Sequence, residues 1–77
     1  MTHIAPLTWA QICAARPQGP TYYASAWTDT DTEEGEAVST NLGWIFSSRN
    51  GVSARIIDPG YLVLHGEVGD PRRQEQV

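Results

Sequence analysis

The thiol of Cys13 is the strongest nucleophile in the sequence, and His3 and His65 are its candidate bases. An activated thiolate needs an electropositive and partly open setting. Cys13 instead falls on an apolar stripe with Trp9 and Ile12, where a free cysteine usually packs as a small hydrophobe. We therefore expect Cys13 to be buried. No nucleophile, base and orienting group can be combined from these residues, so the protein is not expected to be an enzyme.

The acidic segment is the most unusual feature of the sequence. It places five carboxylates in eight residues: Asp29, Asp31, Glu33, Glu34 and Glu36. No basic residue lies between Arg16 and Arg49, and the chain contains no lysine. Like charges this close repel one another and oppose compaction. Two interpretations remain open: a solvated hairpin loop that keeps the protein soluble, and a surface that binds a basic partner.

A metal site fits the same residues less well. Asp29, Asp31 and Glu33 match the first, third and fifth positions of a calcium loop, but Glu34 stands where that loop needs glycine. No flanking helices are predicted there. His65 has neither a second histidine nor a cysteine at a metal-site spacing. The sequence therefore predicts no metal and no cofactor.

A hairpin between two alternating runs is the best-defined element of the sequence. Asn50 and Gly51 separate these runs, and this dipeptide readily adopts the positive φ angles of a type I′ turn. A two-residue loop fixes the register of the strands. It predicts three facing pairs: Phe46 with Arg55, Trp44 with Ile57, and Ile45 with Ile56.

A second turn is predicted at Asp58, Pro59 and Gly60, and it leads into a third strand at residues 61–65. The sequence thus predicts two consecutive hairpins. Alternation places one set of side chains on the first face: Leu42, Trp44, Phe46, Ile57, Leu62 and Leu64. It places another set on the second face: Ile45, Val52, Ile56, Val63 and His65. Because both faces are apolar, something must cover the second one.

One short helix is predicted before these strands. Thr8 and Gln11 have the spacing of a capping box, and Leu7 and Ile12 that of a hydrophobic staple. The helix should end before Pro17. So short a helix is marginal in water unless its apolar stripe is packed, so we expect it to lie across one face of the sheet.

The remaining elements complete the predicted fold. Residues 17–20 are a loop by composition, and residues 21–28 form a strand that pairs with the strand after the acidic loop. That second strand is expected to run on into residues 42–48, bent at Gly43. The predicted fold class is α+β, mainly β: an antiparallel sheet of four to five strands with one short N-terminal helix. Residues 1–68 should form a single small domain, and residues 69–77 a flexible C-terminal tail.

Length and composition agree with a small binding protein. A chain of 77 residues with 40% hydrophobic residues can build a core but leaves little room for a deep cleft. The single cysteine excludes an internal disulfide and fits a reducing cytoplasm. Neither a signal peptide nor an apolar run long enough to span a membrane is apparent, so a cytoplasmic location is expected.

Two resemblances bear on function. The central strands resemble those of small uncharacterised bacterial proteins in one set of positions: Gly43, Phe46, Gly51, Ile57, Pro59, Gly60, Leu62, Val63 and Leu64. This likeness implies no activity. As a whole, the chain is similar to the anti-CRISPR proteins of phages and mobile elements in its short length, acidity and lack of catalytic residues. That likeness implies a binding function and assigns no site residues.

We therefore expect a non-enzymatic inhibitor that presents carboxylates to the basic nucleic-acid groove of a CRISPR effector complex or a similar DNA-binding complex. In an extended segment, Asp29, Asp31 and Glu33 would project to one side about 6.6 Å apart, of the order of neighbouring phosphates. The expected partner is a basic protein surface, with no direct binding of nucleic acid or membrane, and the protein is expected to be a monomer or weak dimer. The alternative is a small structural or self-associating module that uses the second apolar face.

Overall fold

The computed structural model describes residues 4–49 and 54–69, which form one antiparallel sheet and two short helices. The strands are β1 (Ile4–Pro6), β2 (Pro17–Trp27), β3 (Thr32–Thr40), β4 (Gly43–Ser48), β5 (Arg55–Ile57) and β6 (Leu62–Glu67). Helix α1 (Trp9–Ala14) links β1 to β2, and a 3₁₀ helix (Pro59–Tyr61) precedes β6. The strand order is β1-β5-β4-β3-β2-β6, with every neighbouring pair antiparallel. The mainly β prediction is confirmed, with six described strands instead of four to five.

The β4–β5 pairing confirms the predicted register. Its facing pairs are Trp44 with Ile57, Ile45 with Ile56, and Phe46 with Arg55. Asn50, Gly51 and Val52 lie outside the described residues, as do His3 and residues 70–77 of the predicted tail. The observed pairing is the register that a two-residue loop at Asn50 and Gly51 imposes.

The predicted continuous strand through Gly43 is wrong, because β3 and β4 form a hairpin. Its turn consists of Asn41 and Leu42. The Thr40 hydroxyl donates to the Gly43 carbonyl at 2.6 Å and accepts from the Leu42 backbone N–H at 3.1 Å, which closes the turn. Gly43 has a φ of 114°, a conformation that residues with a Cβ rarely adopt. The glycine therefore reverses the chain direction instead of bending one strand.

The second predicted hairpin is also wrong, because β6 pairs with β2 and not with β5. In the sheet order β5 and β6 are four strand positions apart, which is about 19 Å in a flat sheet. Residues 58–61 connect them, and three of these form a 3₁₀ helix that rises only about 2 Å per residue. So short a connection cannot cross a flat sheet. The sheet therefore curls until the end of β5 approaches the start of β6.

The core lies on the concave side of this curl. Its buried apolar side chains come from four strands: Ala24, Ala26, Ala37, Phe46 and Ile57. Trp44, Tyr61 and Leu62 pack against them. The predicted first face is thus confirmed for Trp44, Phe46, Ile57 and Leu62, whereas Leu64 is 42% exposed. On the predicted second face Ile45 and Ile56 are half-buried and Val63 is 43% exposed.

Helix α1 has the predicted start but does not pack as predicted. Thr8 and Gln11 form both hydrogen bonds of the capping box. No residue of the helix is buried, Trp9 is 78% exposed, and Cys13 is exposed. The helix is not needed to cover the concave face, because the buried core residues all come from strands of the curled sheet.

The end of α1 is fixed by a side chain of the β3–β4 turn. The Asn41 side chain donates to the Ala14 carbonyl at 3.3 Å and accepts from the Arg16 backbone N–H at 2.7 Å. The chain then enters β2 at Pro17, so the residues predicted as a loop belong to this strand, with a register shift between Pro17 and Thr21. Among the described residues, no helix has the length and apolar character needed to cross a membrane.

Candidate partner-binding surface

The acidic segment divides between a loop and a strand. Asp29 and Asp31 lie in the β2–β3 loop, whereas Glu33, Glu34 and Glu36 belong to β3. The Thr28 hydroxyl closes the loop by donating to the Asp31 carbonyl at 2.8 Å and accepting from the Asp31 N–H at 2.9 Å. The extended spacing predicted for Asp29, Asp31 and Glu33 is therefore wrong. Ser/Thr hydroxyls favour such local turns. Here the turn interrupts the extended chain between the end of β2 at Trp27 and the start of β3 at Thr32.

Glu33 is separated from the other carboxylates by its ion pair. Its neighbour across the strands is the core residue Ala26, so Glu33 lies on the concave side of the sheet. Arg55 lies on the same side and binds the Glu33 carboxylate at 2.6 Å, and the two side chains are 21% (Glu33) and 19% (Arg55) exposed. Arg55 therefore neutralises the charge of Glu33 within the fold.

Glu34 belongs to a polar cluster on the convex side. Ser25 is its partner across β2 and β3, and the Ser25 hydroxyl donates to a Glu34 carboxylate oxygen at 2.8 Å. His65 Nε2 lies 2.6 Å from the same hydroxyl and 3.9 Å from the same carboxylate oxygen. Ser25 is only 7% exposed, while Glu34 is exposed. The exposed carboxylate of Glu34 is thus hydrogen-bonded to the buried hydroxyl of Ser25.

The donor and acceptor roles in this cluster differ from those in a Ser-His-acid triad. The Ser25 hydroxyl has one proton, which it donates to the Glu34 carboxylate, so its contact with His65 is a hydrogen bond when the imidazole carries a proton on Nε2. A catalytic histidine would instead accept the serine proton, and its acid would bind Nδ1. In this arrangement Ser25 and His65 orient Glu34, and the serine proton points to the carboxylate and not to the imidazole.

A bulge in β6 brings His65 to this cluster. Ala24 pairs with Leu64 and Tyr23 with Gly66, which leaves His65 as the extra residue. Bulges redirect side chains in this way. Neither Ser25 nor the role of His65 is among the sequence predictions. Ser25 meets Glu34 through the β2–β3 pairing, but its contact with His65 depends on the β2–β6 pairing, which no local pattern in the sequence indicates.

Two exposed apolar residues lie beside the cluster. Trp27 follows Ser25 by two residues on β2 and is 49% exposed, and Val63 is the β6 partner of Ser25 and is 43% exposed. Alternation puts both on the same side of the sheet as Ser25 and Glu34. We call the surface formed by Trp27, Glu34, Val63 and His65, with Ser25 beneath it, the convex patch.

Glu36 and Arg49 border the convex patch. Glu36 is exposed and follows Glu34 by two residues on β3. The Arg49 N–H donates to the Glu34 carbonyl at 2.8 Å, which continues the β3–β4 register and places Arg49 opposite Glu34. Tyr23, Glu36, Ser47 and Arg49 help to line a cleft of about 210 Å³. We call the exposed surface of Glu34, Glu36 and the β2–β3 loop the acidic face, and Arg49 lies beside it.

Comparison with models of protein families, with curated proteins and with solved structures finds no match. Within residues 4–49 and 54–69, no group of three or more His, Cys, Asp or Glu side chains has the arrangement of a metal site.

Proposed function

We propose that the protein is a non-enzymatic inhibitor that binds a basic protein surface and blocks nucleic-acid binding there. The proposed partner is a CRISPR effector complex, as for the anti-CRISPR proteins, or a similar DNA-binding complex. The observation that carries the proposal is the exposure of four carboxylates around the β2–β3 hairpin: Asp29, Asp31, Glu34 and Glu36.

The spacing of two of these carboxylates suits a phosphate-binding groove. Glu34 and Glu36 alternate on β3, so their side chains leave the same face about 6.6 Å apart. This is of the order of the separation between neighbouring phosphates of one strand. Glu33 is not part of this surface, because its charge is already paired with Arg55.

Counterion release supplies the physical basis of the proposed binding. A groove lined with lysine and arginine attracts small anions, which are released when fixed carboxylates bind in their place, so affinity should fall steeply with salt. DNA and the protein should then exclude each other from the groove. A protein that bound elsewhere on the complex would not be displaced by DNA.

The test is target-DNA binding by a purified CRISPR effector complex, with and without the protein. We expect inhibition that weakens with salt and is lost when Asp29, Asp31, Glu34 and Glu36 are all changed to the corresponding amides. Glu36→Gln alone should weaken inhibition more than Glu67→Gln, which also removes one exposed carboxylate but lies on β6. Full inhibition by the variant with all four amides would contradict the proposal.

A self-associating module is the second candidate, and one observation favours it. Val63 and Leu64 are 43% and 42% exposed on β6, which is an edge strand of the described sheet. Exposed apolar edge strands offer unpaired backbone groups to a second chain. Sedimentation equilibrium over a range of concentrations tests it, and a monomer at all of them would contradict this candidate.

A further inference from the structure

Trp27 is an exposed aromatic residue next to a fixed carboxylate. It is 49% exposed at the end of β2, although large aromatic side chains are normally packed in so small a protein. Exposed tryptophans in a contiguous patch are typical of binding surfaces, where they contribute much of the affinity.

The register places Trp27 diagonally across from Glu34. Trp27 pairs with Thr32, and Ser25 pairs with Glu34, so Trp27 and Glu34 are diagonal neighbours on adjacent strands. Such neighbours on one face are about 7–8 Å apart, within reach of long side chains. The Ser25 hydroxyl restrains the Glu34 carboxylate, so less conformational entropy is lost when a ligand binds it.

We propose that Trp27 and Glu34 together bind an arginine side chain of the partner. This inference rests on the proposed function and names the contact that the basic partner makes. A guanidinium group is planar, so it can stack on the indole ring and at the same time donate two hydrogen bonds to a carboxylate from its edge. An ammonium group has no flat face and no parallel pair of donors, so it cannot make both contacts in this way. Val63, on the other side of Ser25, offers an apolar surface to the methylene stem of the arginine.

Charge complementarity selects a basic partner over a second copy of this chain. The net charge of the protein is −4, so two copies repel each other. Arg16 and Arg49 are exposed, however, and one of them in a second copy is the competing occupant of the patch.

The test is titration of the isotopically labelled full-length protein with an arginine-rich peptide and with the same peptide carrying lysine for arginine. We expect the indole N–H resonance of Trp27 to shift on binding. The arginine peptide should bind about two- to fivefold more tightly than the lysine peptide, the preference that one cation–π contact at an exposed site supplies.

Two pairs of variants separate the patch from general acidity. Trp27→Leu should abolish the preference for arginine, whereas Trp9→Leu, which removes another exposed tryptophan, should keep it. Glu34→Gln should weaken arginine-peptide binding more than Glu36→Gln. The comparison of the two peptides with the unchanged protein needs no variant, so it stands even if Trp27→Leu fails to fold.

The outcomes distinguish this inference from the proposed function. Equal binding of the two peptides, or loss of the preference in Trp9→Leu as well, overturns the arginine site and leaves the acidic surface in place. No binding of either peptide overturns both. Concentration-dependent dimerisation that Trp27→Leu abolishes overturns the inference in favour of a second copy.

Discussion

Ser25 connects the core to the convex patch. Its neighbours Ala24 and Ala26 point into the core, and its own hydroxyl lies between Glu34 and His65 on the opposite side. A small side chain with one hydroxyl suits this position, because it can donate to the carboxylate and accept from the imidazole at the same time.

Ser25→Ala should therefore affect binding more than stability. Removal of the hydroxyl costs about 0.5–1.5 kcal/mol of unfolding free energy, because the two partners are exposed enough to bind water instead. The Glu34 side chain loses its restraint, and affinity for the arginine-rich peptide should fall. Urea unfolding and peptide titration measure the two effects. Unchanged peptide affinity would mean that the hydroxyl does not orient the carboxylate.

Gly35 permits a close approach of β3 to Phe46 and to the backbone of Ser47. A Cβ at this position would lie 2.9 Å from Cζ of Phe46 and would overlap the carbonyl oxygen of Ser47. Gly35→Ala should lower the unfolding free energy by about 1–3 kcal/mol or more, as overpacking does. The matched control is Gly19→Ala, which meets no atom within 4 Å and should stay within about 0.5 kcal/mol of the unchanged protein. Equal midpoints of the two variants in urea would contradict the tight contact.

Local structure could be predicted well from the sequence, and the pairing of distant strands could not. The β4–β5 register and the capping box were predicted correctly, because each depends on residues close together in the chain. The partner of β6 was predicted wrongly. The alternation of apolar residues in β6 fits a hairpin with β5 and a pairing with β2 equally well, so the sequence does not distinguish them. The burial of Cys13 was wrong for the same reason: an apolar stripe shows what a helix can cover, but not whether the sheet needs covering.

Helix α1 should behave as a unit that opens separately from the sheet. It buries no residue, and the capping box and Asn41 hold its two ends. Thr8→Ala should speed hydrogen exchange of the Ile12 amide, which bonds the Thr8 carbonyl within the first turn. The global unfolding free energy should change by less than about 0.5 kcal/mol, since an exposed helix contributes little to the core. A loss as large as that of a core substitution would show that the helix unfolds together with the sheet.

The charges of the protein are distributed unevenly over its surface. The acidic face contains Glu34, Glu36 and the β2–β3 loop, while Arg55 is used within the fold and Arg16 lies at the end of α1 near the β3–β4 turn. Arg49 alone among the described arginines stands opposite an exposed carboxylate of that face. Both Arg16 and Arg49 reduce the long-range attraction of a basic partner, but only Arg49 competes locally.

Arg49→Gln should tighten binding of a basic peptide by up to about fivefold, the upper end of the range for an exposed ion pair. Arg16→Gln changes the net charge by the same amount and serves as the control. It should have a smaller effect, and that effect should vanish first as salt is added, because it acts over a longer distance. Equal gains from the two variants at every salt concentration would show that only the net charge matters.

The pairing of β6 with β2 has a consequence for the order of folding. The β2–β3, β3–β4 and β4–β5 pairs join neighbouring segments, whereas the contact between Ser25 and His65 closes a stretch of 40 residues. Closing so long a loop costs more entropy than forming a hairpin, so the last strand should dock after the rate-limiting barrier.

Leu62→Ala should then accelerate unfolding and leave the folding rate nearly unchanged in stopped-flow experiments. Slower folding of this variant would place docking before the barrier. Late docking means that the chain crosses the barrier with its carboxylates in place but without the histidine that helps to orient them, so the oriented carboxylate is completed only afterwards.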